Sequence, residues 1–188
     1  MAGLSREGRS HLSRLFVEET LPSSNAFLQE RFKQGAGHAE VCLVEQQSAG
    51  RGRRGRVWNT PWGQSLMLSL GWRVESGVAS LGGLSLAVGV APARVLGPHG
   101  VTPRLKWPND VLLELPGGGL GKLAGILVEV SGDAAGPCEV VIGMGINVGL
   151  PAAFRDALDQ PAAAIHDQAP GVSRNELAVE LIEALLQA

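Results

Sequence analysis

The segment Gly50-Arg51-Gly52-Arg53-Arg54-Gly55-Arg56 places four arginines and three glycines in seven residues. Guanidinium groups fork onto phosphate or carboxylate oxygens, and glycines let backbone N–H groups approach the same oxygens without a side chain in the way. The chemistry implied is capture of a strong anion. In an extended chain Arg51 and Arg53 share one face and Arg54 and Arg56 tend toward the other, so one pair is expected to hold ligand while the other stays solvated. The Gly-Lys-Ser/Thr ending of a P-loop is absent, and the string by itself also suits a basic surface loop or a nucleic-acid contact. A second cluster is Lys106-Trp107-Pro108-Asn109-Asp110. Proline restricts the residue before it, so Lys106 is expected to project from a rigid base as a point charge, with Asn109 and Asp110 as turn formers. A third, Gly143-Met144-Gly145-Ile146-Asn147-Val148, reads as a strand running into a bend, where glycines would let a ligand lie against the backbone.

These residues need a scaffold, and hydrophobic periodicity supplies one. Ser23-Ser24-Asn25 precede a helix over 26–34 that Gly35 can terminate, which puts the serines at a helix N-terminus. Strands are predicted over 41–45 and over 65–73, the latter with Leu66, Leu68, Leu70 and Trp72 on one face. A glycine-rich helix over 78–97 follows, then strands 101–107 and 111–115 joined by the Pro-Asn-Asp turn, and further strands over 122–130 and 139–145. Residues 173–187 form an amphipathic closing helix with Leu177, Leu181, Ile182 and Leu185 on its buried stripe. Residues 1–20 show no clean period and read as a polar lead-in with at most one short helix. Helices gathered beside runs of neighbouring strands indicate an α+β fold with a mixed β-sheet.

Composition narrows the function classes. Sixteen Lys and Arg against eighteen Asp and Glu leave a formal charge of −2, so no global basic field favours DNA, and an anion site must come from local clustering. Cys42 and Cys138 are the only cysteines and read as buried free thiols, which fits a reducing cytoplasm. Charged residues through the first sixteen positions leave no apolar core for a secretory signal. Residues 76–93 carry no charge, but their glycines, serines and Pro92 favour a core helix over a membrane span.

Four segments in order, Gly50 to Gly55, Lys106 to Asp110, Lys122 to Glu129 and Gly143 to Asn147, resemble the motifs of the biotin-protein ligase (biotin-[acetyl-CoA-carboxylase] ligase) family, over about residues 17–187. The resemblance implies a catalytic domain over 17–188 after a lead-in over 1–16, with the class II aminoacyl-tRNA synthetase-like fold of these enzymes. It implies two-step acyl transfer: biotin and ATP give biotinyl-5′-AMP, and a lysine of a biotin carboxyl carrier protein, that of acetyl-CoA carboxylase, takes the biotinyl group. By this resemblance Lys106 and Arg53 are catalytic. Ser23, Ser24, Asn25, Gln47, Gly50, Arg51, Gly52, Arg53 and Lys106 contact biotin, and Arg51, Arg53, Trp58, Lys106, Lys122 and Asn147 contact ATP or the adenylate. Ser24 stands where the family has Thr. Mg2+ is expected with ATP, and no carboxylate cluster identifies ligands for it.

The resemblance also frames what to expect around that domain. Only about twenty residues precede it, so no helix-turn-helix repressor module is expected, and the small C-terminal β-barrel of most bacterial members is not expected before Ala188. Its absence would weaken ATP binding and carrier transfer more than biotin binding. A homodimer formed by sheet extension is compatible with the family. The glycine-arginine loop is a candidate lid over the mixed anhydride. The competing readings are a lipoate- or octanoate-protein ligase of the same fold, and a non-catalytic module that binds anions or nucleic acid through the arginine loop.

Overall fold

The computed structural model describes residues 3–187. Its centre is a seven-stranded mixed sheet in the order β1-β2-β3-β7-β6-β5-β4. The strands are β1 (Arg14–Leu21), β2 (Glu40–Gln47), β3 (Ser65–Val74), β4 (Arg104–Lys106), β5 (Asp110–Glu114), β6 (Leu120–Gly132) and β7 (Cys138–Asn147). Only β1 and β2 pair in parallel; every other neighbouring pair is antiparallel. This is the expected α+β architecture.

Side-chain alternation along the central strands gives the sheet two working faces. Leu66, Leu68 and Leu70 of β3 and Val140, Ile142, Met144 and Ile146 of β7 point into the main core. Helices α3 (Leu84–Leu96) and α5 (Arg174–Leu186) cover that side, with Leu177, Leu181, Ile182 and Leu185 buried as the periodicity predicts. Each such leucine or isoleucine contributes about 1.5–3 kcal/mol on full burial. Cys42 and Val141 project the other way and meet Leu28 and Phe32 of α2 (Ser24–Lys33). The functional side chains described below lie on this second face.

Helix α2 is specified at both ends. Ser23 Oγ accepts the Ala26 N–H at 3.3 Å, and at the far end Gly35 takes φ 83° while Gly35 and Ala36 donate to the carbonyls of Phe32 and Arg31. That pattern is a Schellman exit, and it turns Ala36 back onto Phe32 and Leu28. A bidentate ion pair from Arg31 to Glu40, at 3.0 and 2.9 Å, ties α2 to β2. The N-terminal pole of the helix is thereby held in place over the sheet.

Several elements differ from expectation. The one short helix allowed in the polar lead-in is α1 (Arg6–His11), capped by Ser5 Oγ accepting from Gly8 N–H, but β1 follows it, so a boundary at 16/17 would fall inside a strand. β1 escapes the period-2 reading because it is an edge strand, with Glu18 and Glu19 adjacent and little of it buried. The helix predicted over 78–97 is two pieces, a 3₁₀ turn at Val78–Leu81 and α3, because Gly83 adopts a left-handed φ of 89° between them. At about 20 Å, α3 is too short for a bilayer, and among the described residues no helix is long and apolar enough to cross a membrane. β4 covers only three of the seven residues predicted for it; Pro103, just before it, cannot donate to a ladder. A short helix, α4 (Ala152–Asp156), lies in the connection to α5. Both cysteines are buried and unpaired, as expected, and burial with the nearby Glu18 charge pushes the Cys42 thiol up to about 12.

Candidate active site

The α2 pole, the end of β2 and the middle of β3 form a hydrogen-bonded wall. Ser23, Ser24 and Asn25 are all buried. Gln47 closes the wall from β2, its Oε1 accepting the Ser24 N–H at 2.8 Å while its Nε2 points at Met67 Sδ, 3.3 Å away. Ser69 Oγ, on β3, lies 2.7 Å from Ser24 Oγ and 2.6 Å from Asn25 Oδ1. Asn25 Nδ2 donates to Glu129 Oε2 at 2.9 Å and to the Leu127 carbonyl at 3.3 Å. Asn25, expected to contact ligand, therefore has its amide committed to protein partners, although it still borders the cavity.

The glycine-arginine segment is a tight hairpin, and the extended-chain division of its arginines does not hold. Arg51 and Val57 form an antiparallel bridge, Gly52 N–H donates to the Arg56 carbonyl at 2.7 Å, and Trp58 N–H donates to the Gly50 carbonyl at 2.9 Å. A 3₁₀ turn at Arg53–Gly55 makes the tip, with Arg54 at φ 57° and Gly55 at φ 73°. Gly50 does not line the cavity; a Cβ there would stand 2.3 Å from the Trp58 carbonyl oxygen, so glycine is needed to close the hairpin. Arg51 pairs with Glu129 at 3.4 Å. Arg53 donates to Asn109 Oδ1 at 3.3 Å, a neutral partner.

Opposite the hairpin stands the β4–β5 turn, with a cis Trp107-Pro108 peptide. Asn109 and Asp110 do more than form the turn: Asn109 Nδ2 donates to the Ile126 carbonyl at 2.9 Å, and Asp110 holds Lys122 at 2.7 Å. Lys106 is exposed at the cavity rim, and among the described residues it has no ion-pair partner. The six cations that line the cavity divide by electrostatics. Glu129 and Asp110 compensate Arg51 and Lys122, whereas Lys106, Arg53, Arg54 and Arg56 have no ion-pair partner among the described residues.

The glycines of β6 and β7 make room for protein side chains. A Cβ at Gly143 would fall 2.2 Å from Asn25 Oδ1, and one at Gly145 would fall 2.6 Å from Trp58 Cε2. The Trp58 indole lies over Gly145 and Gly125 with Lys122 Nζ 5.6 Å from its ring centre, and its Nε1 is buried without a hydrogen-bond partner. Asn147 is placed away from the cavity. Its Nδ2 donates to the Lys122 and Ala163 carbonyls at 3.2 and 3.1 Å, and its Oδ1 faces Ser65 Oγ. It is a buried tie between β7, β6 and the segment after α4, outside the lining of the cavity.

One cavity of about 320 Å³ joins these parts, lined by Ser23, Ser24, Asn25, Gln47, Arg51, Gly52, Arg53, Trp58, Lys106 and Lys122 among others. It has a polar, hydrogen-bonding pole under α2 and a cationic pole between the hairpin and Lys106. Ser69 and Glu129 were not singled out as site residues from the sequence. Ser69 left a signal, as the one hydroxyl inside Leu66-Met67-Leu68-Ser69-Leu70. Glu129 closes an apolar run, where a strand-end carboxylate reads as a solvated residue. For metal, among the described residues no group of three or more His, Cys, Asp or Glu is placed to hold an ion.

Residues 17–147 match the model of the biotin/lipoate A/B protein ligase family. The bifunctional ligase/repressor BirA of Salmonella typhimurium is 40% identical over 174 residues, 92% of this chain and 52% of that protein. The biotin--[acetyl-CoA-carboxylase] ligase of Mycobacterium tuberculosis is 39% identical over 170 residues, 87% of this chain and 59% of that protein. The chain therefore spans about half the length of the curated relatives it matches. In three dimensions, the biotin protein ligase of Leishmania major in complex with biotinyl-5-AMP superposes with a TM-score of 0.72 at 23% identity, over 93% of this chain and 74% of that one.

Proposed function

The chain belongs to the biotin/lipoate A/B protein ligase family, and we propose that within it this protein is an ATP-dependent biotin-protein ligase. A carboxylate oxygen of biotin attacks the α-phosphorus of ATP, pyrophosphate leaves, and biotinyl-5′-AMP remains bound. A lysine amine of an acceptor, a biotin carboxyl carrier protein, then attacks the acyl carbon and AMP departs. Magnesium enters as part of the Mg-ATP substrate, held by phosphate oxygens.

The observation that carries this reading is the cavity that joins a hydrogen-bonding pole to uncompensated cations, Lys106 and Arg53 among them. Carboxylate and triphosphate repel each other, so a site that joins them must supply positive charge where both converge. Lys106 and Arg53 are among the groups with charge to give. Lys106 is assigned the space between carboxylate and α-phosphate, and Arg53, steadied by Asn109, the developing charge on phosphorus. Arg51 and Lys122 border the nucleotide side as compensated cations, and Trp58 offers an indole face to the base. The pole formed by Ser23, Ser24 and Gln47 suits the ureido ring of biotin. Lipoate has a dithiolane there and would leave these polar groups unpaired, which disfavours the lipoate reading.

The test is incubation of the purified protein with biotin and Mg-ATP, read by mass spectrometry for biotinyl-5′-AMP, with Lys106→Ala in parallel. The wild type is expected to form the adenylate. The variant is expected to lose on the order of a hundredfold or more in its rate, with biotin affinity changed far less. Absence of biotin binding by the wild type would refute the reading, and binding without any adenylate would reduce the protein to a biotin-binding module.

A further inference from the structure

An acyl group made in the cavity has to be met there by an acceptor amine, so the chain that carries the amine must lie across the cavity mouth. Val57 on the hairpin and Trp107 on the β4–β5 turn both line the cavity, one on each bank. At 79% and 76% exposure they are the two most exposed large apolar residues among those described. Exposed apolar residues scattered singly are ordinary, but a pair on the two banks of one cavity is a feature of that cavity. Arg53 on the hairpin donates to Asn109 on the turn at 3.3 Å, so the banks stand one arginine side chain apart. An extended segment can straddle that gap, because its side chains at i−2, i and i+2 share one face at a spacing of about 7 Å. The lining between the banks holds six cations, Arg51, Arg53, Arg54, Arg56, Lys106 and Lys122, against one carboxylate, Asp110, which Lys122 already holds at 2.7 Å. Basic residues beside the incoming amine would be repelled there, whereas apolar ones would cover Val57 and Trp107.

We propose that Val57 and Trp107 form an apolar rim that seats the acceptor: an extended segment crosses the mouth with its lysine directed into the cavity and with apolar side chains, two residues before and two residues after that lysine, against the two banks. The proposal rests on the biotin-ligase reading, which supplies the acyl-adenylate and the need for an amine. Neither residue has a part in forming the adenylate. The rim selects among acceptors by the residues around the lysine, and the chemistry at the acyl carbon is the same for all of them.

The test offers the protein, with biotin and Mg-ATP, two N-acetylated peptides, Ser-Leu-Ser-Lys-Ser-Leu-Ser and Ser-Ser-Ser-Lys-Ser-Ser-Ser, and in a third reaction hydroxylamine, a nucleophile without flanks. Mass spectrometry follows the adenylate and each biotinyl product for wild type, Trp107→Ser, Val57→Ser and the double variant. The wild type is expected to favour the leucine peptide by roughly tenfold in kcat/KM, as partial burial of two leucine side chains would give. Each single variant is expected to reduce that preference by about threefold and the double variant to bring it near one, because the two banks act separately. Adenylate formation and transfer to hydroxylamine should stay within about twofold of wild type, since both residues are exposed. A wild type that forms the adenylate but does not favour the leucine peptide would overturn the proposal and leave the biotin reading intact. So would variants that keep the full preference, or that lose transfer to hydroxylamine and to both peptides in parallel. A wild type that forms no adenylate would overturn both.

Discussion

Asn25 and Asn147 both belong to segments that resemble ligand-binding motifs, and both have their amides engaged by the protein itself. An amide side chain brings two donors and an acceptor oxygen, and spacing along the chain does not reveal whether ligand or backbone will meet them. Asn147→Ala removes two donors that serve buried carbonyls, and is expected to cost about 1–3 kcal/mol. For a chain of this size that lowers Tm by about 2–4 °C per kcal/mol. Adenylate formation at saturating biotin and ATP should remain close to wild type once the comparison is made well below the lowered Tm. Thermal melts alongside the adenylation assay check this; a loss of ATP affinity with an unmoved melt would return Asn147 to the nucleotide site. Lys106, by contrast, is legible as a candidate anion contact from its motif, and the structure leaves it without an ion-pair partner among the described residues because Asp110, opposite it across the β4–β5 pair, is engaged by Lys122.

The hairpin from Gly50 to Trp58 shows what an element adds to its residues. Its arginines were visible in the sequence, but their division into compensated and uncompensated charges depends on Glu129 and Asn109, which approach from other strands. The hairpin is held by few bonds: one bridge, the Gly52 and Trp58 amides, the Arg53 hydrogen bond to Asn109 and one partly exposed ion pair, a kind of contact that contributes about 0–1 kcal/mol. Opening of so lightly held an element is expected at modest free energy. Trypsin should therefore cut at Arg51 to Arg56 in the free protein before it cuts elsewhere, and biotin with Mg-ATP should slow those cuts by roughly tenfold or more if ligand at about ten times its Kd must leave first. Peptide mapping over a time course provides the measurement, and equal rates with and without ligand would show that the hairpin does not close over the site. The strand β1 carries the complementary lesson. Its partly polar, half-exposed side chains hide it from periodicity, and only pairing with β2 makes it a strand.

At the scale of the molecule, the long connection between β7 and α5 is closed on itself by Arg155, whose guanidinium meets Asp167 at 2.8 and 2.6 Å while Ala164 N–H donates to the same carboxylate. Burial alone would raise the Asp167 carboxyl, but those hydrogen bonds outweigh it and hold it below its ordinary value. The unfolded chain therefore takes up this proton more readily than the folded one. The stabilisation is present above the unfolded value of about 4 and is lost as pH falls through the lower folded value. Urea midpoints from pH 7 downward should decline in the wild type, and Asp167→Asn should begin lower at pH 7 and decline less over the acid range. Parallel curves for the two proteins would contradict this account. The sequence by itself determined the main core pattern of β3 and α5, the capped α2 helix and the order of the anion-binding segments, because each is written in local periodicity and local residue chemistry. Only the tertiary structure decided which cations find a carboxylate partner, which glycines face protein side chains and which groups pair at the α2 pole. Those properties arise between groups far apart in the chain, such as Asn25 with Glu129 and Gly143 with Asn25, and contact across a sheet has no trace in linear spacing.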